Sequence, residues 1–282
     1  MESKINYEKA IKNIRTELKN YIVNGNLKSL VLGVSVGIDS TLCALLARPV
    51  CDELNIPLIG RSLPSRTNAI GENSRAKEIG ELFCTDFKET SIQGAFTRMS
   101  DVMYDNYNVY PEANDHHDNI RFGNIKARIR MILLYDLASA ENGLVLSTDN
   151  YTEYLLGFWT LHGDVGDYGM IQNLWKTEVY EMTEWLKDHF NNPHAIRAIE
   201  RVLEADATDG LGISKTDLDQ ILPGWEGNSR DGYAKVDEIL KSESNIESPV
   251  IQRRDRTKFK RENPVNISWA KIAGIPDNIE NK

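Results

Sequence analysis

The sequence predicts an α/β protein with a doubly wound parallel sheet, flanked by helices, and a helical C-terminal part. Two patterns indicate this class. Short apolar runs typical of buried strands, SLVLGV (29–34), IPLIGRSL (56–63) and GLVLST (143–148), alternate with helical patterns. Such alternation is typical of parallel sheets. Beyond residue 178, helical spacing dominates.

The other elements can be assigned in chain order. The helical patterns share apolar residues three or four positions apart, and they cover residues 7–23, 71–83 and 119–140. A further helix begins near Asp39, and we expect Pro49 to kink or end it. A third strand is expected over 87–92 and a loop over 223–233, while 157–175, rich in Gly, Asp and aromatic residues, predicts a functional loop or lid.

Composition limits the classes of function. The chain has 282 residues, enough for one large α/β domain or two small ones, and we expect a single domain over 1–282. Its net charge of −9 disfavours a nucleic-acid partner, and it has no apolar run of membrane-spanning length. The N-terminus is charged, unlike a secretory signal. Three scattered cysteines predict a reducing, cytoplasmic location and no zinc site.

The segment GVSVGIDS (33–40) follows the first strand and precedes a helix. Ligands of doubly wound sheets bind at the carboxyl ends of strands, so this loop is a candidate anion site. Glycines allow close backbone approach, and the helix start offers unpaired N–H groups. Ser35 and Ser40 add hydroxyl donors. Asp39 would repel a bare phosphate, which suggests Mg²⁺ between them. The alternative is a strand–turn–helix corner in which Asp39 or Ser40 caps the helix.

LGVSVGIDSTL (32–42) resembles the pyrophosphate-binding loop of the N-type ATP pyrophosphatases, usually SGGxDS. Val36 replaces the first glycine of the pair. The resemblance implies an adenine nucleotide alpha hydrolase-like fold. Further segments resemble the motifs of one family in this group, the NAD synthetases, and they are LPSR (63–66), GNIKARIR (123–130), STDNYTE (147–153), GFWTLHGD (157–164), LWKTEVYEM (174–182) and KFKR (258–261).

This resemblance implies a set of site residues. Contacts to ATP would come from Gly33, Val34, Ser35, Gly37, Ser40, Arg66, Thr148 and Lys176. Contacts to the dinucleotide would come from Arg128, Asp167, Phe259 and Lys260. Asp39 and Glu153 would hold Mg²⁺. The catalytic residues would be Asp39, Lys176 and, as a possible participant, Asp164.

The activity implied is ATP-dependent amidation of deamido-NAD to NAD with ammonia, through an adenylate, with release of AMP and pyrophosphate. A homodimer is expected by resemblance alone. The alternatives are another ATP pyrophosphatase, such as a tRNA-modifying enzyme, and a non-catalytic nucleotide-binding protein. Val36 and the short segment 204–212, in which the family's ATP-contacting threonine cannot be placed, motivate the second alternative. Standing alone, 123–130 would be interpreted as a solvated helix face.

The sequence motifs give conflicting indications of the nitrogen source. TLHGD (160–164) is closer to the TLYGD of the large glutamine-using synthetases than to the ammonia-using form, which usually has lysine where Leu161 stands. The synthetase pattern begins near residue 7, however, which leaves no room for a glutaminase domain. None of the cysteines has a glutaminase setting. We therefore expect ammonia to be the nitrogen donor, and a separate partner glutaminase is the alternative.

Overall fold

The computed structural model describes residues 5–35, 37–68, 70–107, 116–164, 166–208, 210–242 and 246–274. Its sheet has five strands, all paired in parallel, in the order β3-β2-β1-β4-β5. The strands are β1 Ser29–Gly33, β2 Leu58–Ser62, β3 Asp86–Glu89, β4 Gly143–Ser147 and β5 Tyr168–Gly169. This architecture confirms the predicted fold class.

Helices connect the strands and make up the C-terminal part. Those up to residue 203 are α1 Tyr7–Asn24, α2 Ile38–Leu54, α3 Ile70–Phe83, α4 Gln93–Tyr107, α5 His116–Ala140, α6 Tyr151–Leu156, α7 Lys176–Asp188 and α8 Pro193–Leu203. Those after it are α9 Leu218–Ile221, α10 Ser229–Ser242, α11 Pro249–Arg256, α12 Lys258–Arg261 and α13 Trp269–Ala273. Among the residues described, no helix is long and apolar enough to cross a membrane.

The central strand β1 is buried on both faces, as its continuous apolar run predicts. Leu30 and Leu32 face the main core, which contains residues of α1, α2, α7 and α8. Val31 points to the opposite face, where it packs with Val145 and with Ala138 of α5. This alternation is the two-residue period of a strand.

Of the two outcomes expected at Pro49, a kink or the end of the helix, the second is wrong, because α2 continues to Leu54. A proline in a helix leaves the carbonyl four residues earlier without its usual N–H partner. That carbonyl belongs to Leu45, and it accepts a hydrogen bond from the guanidinium of Arg15 at 3.0 Å. The helix α1 therefore satisfies the acceptor that Pro49 leaves open.

Two other boundaries differ from the predictions. The expected loop 223–233 ends early, because α10 begins at Ser229, where Asn228 accepts a hydrogen bond from the Asp231 N–H at 2.8 Å. Local side-chain capping of this kind starts a helix without an apolar signal. The third strand covers Asp86–Glu89 instead of 87–92, and the loop 157–175 contains the short edge strand β5.

A second apolar cluster lies under the C-terminal helices. Its buried residues come from α6, α9, α10 and α11, and they are Leu156, Leu218, Ile221, Tyr233, Val236, Leu240, Val250 and Ile251. The cluster fixes α6 and α10 beside the start of α7. Both α6 and α7 begin close to the carboxyl edge of the sheet, so the cluster helps to position the residues of that edge.

Candidate active site

A cavity lies at the carboxyl edge of the sheet, where parallel α/β folds bind ligands. It is lined by the β1–α2 loop, the ends of β2 and β4, the starts of α6 and α7, and the segment that follows α8. Of the predicted site residues, it brings together Gly33, Val34, Ser35, Gly37, Asp39, Thr148, Glu153, Asp164 and Lys176. Ser40 is buried directly behind the loop.

The β1–α2 loop is closed by its own serines. The Ser35 N–H donates to Ser40 Oγ at 3.2 Å, and the two hydroxyl oxygens lie 3.0 Å apart. The Gly37 N–H donates to Ser35 Oγ at 3.1 Å. Gly37 precedes the first residue of α2, so the unpaired N–H groups of that helix point toward the loop. Val36 lies outside the described residues.

Lys176 forms the centre of the charged side of the cavity. Its Nζ lies 2.5 Å from Asp39 Oδ2 and 2.8 Å from Glu153 Oε1. The lysine side chain is only 2% exposed. Asp39 comes from the start of α2, Glu153 from α6 and Lys176 from the start of α7, so three elements converge here. Asn150 adds a hydrogen bond from its Nδ2 to Asp39 Oδ1 at 2.9 Å.

The negative charges of this cluster exceed its positive charge. Burial alone would lower the pKa of Lys176, but the charges of Asp39 and Glu153 outweigh it and raise that pKa well above the usual value. Burial and the charge of Asp39 raise the pKa of Glu153 to about 7, although Lys176 opposes this shift. Burial and neighbouring carboxylates, first Glu153, also raise the pKa of Asp149 well above its usual range. A further cation would therefore be stabilised here.

The cluster fits a Mg²⁺ ion in its donor chemistry. Two carboxylates, Asp39 and Glu153, present hard oxygen donors to one cavity. The described part of the chain contains no group of three or more His, Cys, Asp or Glu side chains that could hold a metal. Magnesium commonly uses one or two carboxylates and takes its remaining ligands from phosphates and water.

The loop after α6 brings Asp164 to the cavity. Asp164 Oδ2 accepts from the Thr160 N–H at 2.8 Å, and the Thr160 hydroxyl donates to Asn124 Oδ1 at 2.8 Å. Burial raises the pKa of Asp164, against the effect of its hydrogen bonds with Thr160. The loop is thus fixed to α5, which carries Asn124.

Lys260 closes the same loop from the C-terminal side. Its Nζ donates to the carbonyl of Gly157 at 2.8 Å and also to that of Trp159. Burial, with the nearby charge of Arg253, lowers the pKa of Lys260 to about 8. Asp164 acts in the opposite direction and stabilises the ammonium form.

Besides Ser40 and Lys260, four predicted residues lie outside the lining of the cavity. Arg66 and Phe259 are exposed, and the Arg128 guanidinium donates to the Leu161 carbonyl at 3.2 Å and 3.3 Å. Asp167 accepts from the Val145 N–H at 2.9 Å, so its carboxylate is bonded to the middle of β4. None of these four side chains lines the cavity that the β1–α2 loop borders.

The structure adds lining residues that sequence analysis missed. Arg130 lines the cavity and donates to the Leu63 carbonyl at 3.1 Å. Thr208 also lines it, which places a threonine of the short segment 204–212 at the site. Asp217 lines it as well, and no spacing in the sequence marked this residue.

The interpretation of 123–130 as a solvated face is wrong for Lys126. That side chain is buried and donates to the Leu211 carbonyl at 2.8 Å and the Thr67 hydroxyl at 3.2 Å. It therefore ties the segment 204–212 to α5 and to the loop after β2. The spacing of Lys126 and Arg130, one helical turn apart, places both on one face of α5 but does not show whether that face is buried.

The profile of the family described as NAD synthase matches residues 10–264. The chain belongs to the NAD synthase family. Two proteins named NH(3)-dependent NAD(+) synthetase are similar to it. The one from Thermoplasma acidophilum is 34% identical over 215 residues, 76% of either chain. The one from Trichlorobacter lovleyi is 32% identical over 278 residues, 93% of either chain.

Solved structures share the fold of this NAD synthase family member. The NMN synthetase of Francisella tularensis aligns with a TM-score of 0.75 at 24% identity, covering 94% of this chain and all of the other. An NH3-dependent NAD synthetase from Campylobacter jejuni, in complex with nitrate, aligns with a TM-score of 0.65 at 23% identity and the same coverage.

Proposed function

We propose that this chain is an ammonia-dependent NAD synthetase. It uses ATP to activate the nicotinate carboxylate of deamido-NAD and converts it with ammonia to the amide of NAD. The observation that carries the proposal is the pairing of Lys176 with Asp39 and Glu153 beside the phosphate loop, in a member of the NAD synthase family. The names of the similar proteins support the same activity.

The proposed reaction has two steps. A carboxylate oxygen of the nicotinate bonds to the α-phosphorus of ATP, the bond from that phosphorus to the bridging oxygen breaks, and pyrophosphate leaves. Ammonia then bonds to the activated carboxyl carbon, AMP departs with the former carboxylate oxygen, and the nitrogen loses a proton. Splitting one difficult step into two lowers the barrier of each.

The residues of the cavity would stabilise the charge that develops on pyrophosphate. The N–H groups at the start of α2 and the hydroxyls of Ser35 and Ser40 would donate hydrogen bonds to phosphate oxygens. Thr148 would contact ATP. Lys176 would add positive charge in a site with little water. Arg128 and Lys260 hold the loop 157–161 from two sides and would position the dinucleotide.

We further propose that Asp39 and Glu153 hold Mg²⁺ together with phosphate oxygens. The excess of carboxylates over Lys176 supports this site. When bound, Mg²⁺ supplies charge that offsets the negative charge of the leaving group. Lys176 contacts both carboxylates and would hold them next to each other as ligands of the metal.

A homodimer in the cytoplasm completes the proposal. In support, α5 exposes two adjacent apolar side chains, Ile132 and Leu133, by 55% and 41%, and a dimer contact through α5 would bury them. The three cysteines are free thiols, as in a reducing compartment. Sedimentation equilibrium that shows only monomer would contradict the dimer.

The activity is tested with the purified chain, ATP, Mg²⁺, ammonium and deamido-NAD. We expect NAD, AMP and pyrophosphate in equal amounts, and none of them when deamido-NAD or Mg²⁺ is omitted. Cleavage of ATP to ADP, or to AMP without an acceptor, would contradict the proposal. Bound ATP without turnover would favour a non-catalytic protein. A parallel reaction with nicotinate mononucleotide shows which acceptor is preferred, since one protein of this fold is described as an NMN synthetase.

A further inference from the structure

We propose that helix α10 positions Lys176 through two buried residues, Asp237 and Tyr233. The inference rests on the proposed function, in which Lys176 faces the phosphates of ATP. Neither Asp237 nor Tyr233 lines the cavity, so both would act through Lys176. Asp237 is 1% exposed and Tyr233 is fully buried.

The carboxylate of Asp237 joins the starts of two other helices. Its Oδ1 accepts from the Thr152 hydroxyl of α6 at 2.5 Å. Its Oδ2 accepts from the N–H and the hydroxyl of Thr177 in α7 at 2.9 Å and 2.8 Å. Thr152 Oγ1 in turn accepts from the backbone N–H of Lys176 at 2.9 Å. One carboxylate therefore connects three helices.

These contacts flank both sides of the ion pair. Thr152 directly precedes Glu153, and Thr177 directly follows Lys176. Holding the two threonines to one carboxylate fixes the backbone from which each charged side chain starts. The 2.8 Å pair between Lys176 and Glu153 is thus set by the distance between α6 and α7 that Asp237 maintains.

Tyr233 supports the other end of Lys176. It lies one helical turn before Asp237, and the Lys176 Nζ lies 4.8 Å from the centre of its ring. The Tyr233 hydroxyl donates to Asp217 Oδ2 at 3.2 Å, which fixes the ring. One turn after Asp237, Lys241 lies over the ring of Trp175, 4.8 Å from its centre. A single face of α10 therefore contacts the start of α7 at three successive turns.

Stability alone does not account for this arrangement. A buried carboxylate loses its hydration, and replacing buried charge by apolar packing is often neutral or stabilising. Burial raises the pKa of Asp237, while the hydrogen bonds from Thr152 and Thr177 oppose the shift. The long side chain of a lysine needs restraint to act at one place. Asp237 and Tyr233 supply that restraint from outside the cavity.

The test compares variants that keep shape but change these contacts. Asp237→Asn removes the charge, and Thr152→Val removes the hydroxyl while keeping the branched side chain. Thr152→Ser restores the hydroxyl as the conservative rescue. Val236→Ala is the matched control, because Val236 is fully buried on α10 next to Asp237 but belongs to the apolar cluster. All are assayed well below their unfolding temperatures.

We expect Asp237→Asn and Thr152→Val to lower kcat by about tenfold or more, with KM for ATP changed by less than about threefold. Thr152→Ser should keep kcat within about threefold of the unchanged chain, and Val236→Ala should do the same despite a lower Tm. A kcat for Asp237→Asn equal to that of the unchanged chain would overturn the proposal. So would an equal loss of kcat in Val236→Ala.

Crystal structures of the variants test the position of Lys176 independently of whether the chain makes NAD. If the unchanged chain makes no NAD, the proposed function fails, and the position of Lys176 can still be measured. In Asp237→Asn we expect Lys176 Nζ to leave hydrogen-bond distance of Asp39 or Glu153, while in Val236→Ala it stays. An unmoved Lys176 in Asp237→Asn would overturn the positioning role.

Discussion

Two buried lysines of this chain differ in what they contact. Lys176 meets the carboxylates of Asp39 and Glu153, whereas Lys126 meets the Leu211 carbonyl and the Thr67 hydroxyl. A buried ammonium needs partners in either case, because desolvation disfavours the charge. The partners of Lys176 carry the opposite charge and line the cavity. At the scale of the residue, the partners of a buried lysine decide whether it fixes a loop or is available to a charged ligand.

The lowered pKa of Lys260 predicts that binding of the dinucleotide depends on pH. Burial lowers its pKa to about 8, so the ammonium form prevails below that pH and is lost above it. If Lys260 binds the anionic dinucleotide, KM for deamido-NAD should rise between about pH 7 and 9. Lys260→Arg keeps its charge throughout this range and should show a flatter profile.

The comparison of the two profiles is the control, since other groups titrate equally in both proteins. Steady-state kinetics at saturating ATP and ammonia measures KM at each pH. Parallel profiles for the unchanged chain and Lys260→Arg would show that Lys260 carries no charge-dependent contact to the substrate.

At the scale of the element, the short helix α6 carries Glu153 and is fixed at both ends. At its start, Asn150 accepts from the Glu153 N–H at 3.0 Å, and the Glu153 side chain accepts from the Asn150 N–H at 3.3 Å. At its end, Gly157 adopts a left-handed conformation with φ of 56°. A helix of one and a half turns depends on such caps, because it makes few backbone hydrogen bonds within itself.

Gly157→Ala should destabilise the fold more than the same change at Gly224. Both glycines have positive φ, where an added Cβ costs about 1–2 kcal/mol. At Gly157 the Cβ would also lie 2.5 Å from Thr257 Cβ, while at Gly224 nothing lies within 4 Å. We expect a loss of about 2–4 kcal/mol for Gly157→Ala and about 1 kcal/mol for Gly224→Ala in the free energy of unfolding, measured by urea denaturation.

The difference between the two variants, more than either value, tests the packing of α6 against Thr257. Equal losses would mean that the residues around Thr257 shift to accept the methyl group. A larger loss at Gly224 would show that the contact between α6 and the turn before α12 is not as tight as the distance indicates.

At the scale of the whole molecule, the C-terminal helices close the edge of the sheet. The helix α10 contacts α7. Lys260 donates to the Gly157 carbonyl just after α6, and Arg261 donates to the Leu155 carbonyl within α6. The segment 204–212 is tied to α5 by Lys126. The cavity is therefore bounded by parts of the chain far apart in sequence, and its shape depends on the docking of the second apolar cluster.

The choice between glutamine and ammonia as nitrogen source depends on all the cysteines of the chain. Glutamine hydrolysis would need a reactive thiolate, and all three cysteines are buried. Burial raises the pKa of Cys51 and of Cys84 to about 12, and that of Cys43 rises well above its usual value. We expect NAD formation with ammonium and none with glutamine as the sole nitrogen source.

This prediction is checked with the purified chain after removal of contaminating ammonium. Addition of ammonium to the same sample should restore NAD formation, which controls for an inactive preparation. Equal rates with glutamine and with ammonium would require an amidase site apart from these cysteines.

The sequence by itself determined the fold class and nine of the residues that line the cavity. Short continuous apolar runs and the segment 33–40 at a strand end are local signals, and the carboxyl edge of a parallel sheet then brings such loops together. Asp39, Glu153 and Lys176 could be placed at that edge because each follows an identifiable strand end or matches a family motif.

Only the tertiary structure decided which buried polar groups support the site. Asp237 and Tyr233 have the ordinary helical spacing of four residues, and nothing in that spacing distinguishes an inner carboxylate from a solvated one. The continuation of α2 past Pro49 likewise depends on Arg15 from another helix. The physical reason is the same in both cases. A buried polar group is stabilised by partners distant in the sequence, and a local pattern carries no information about them.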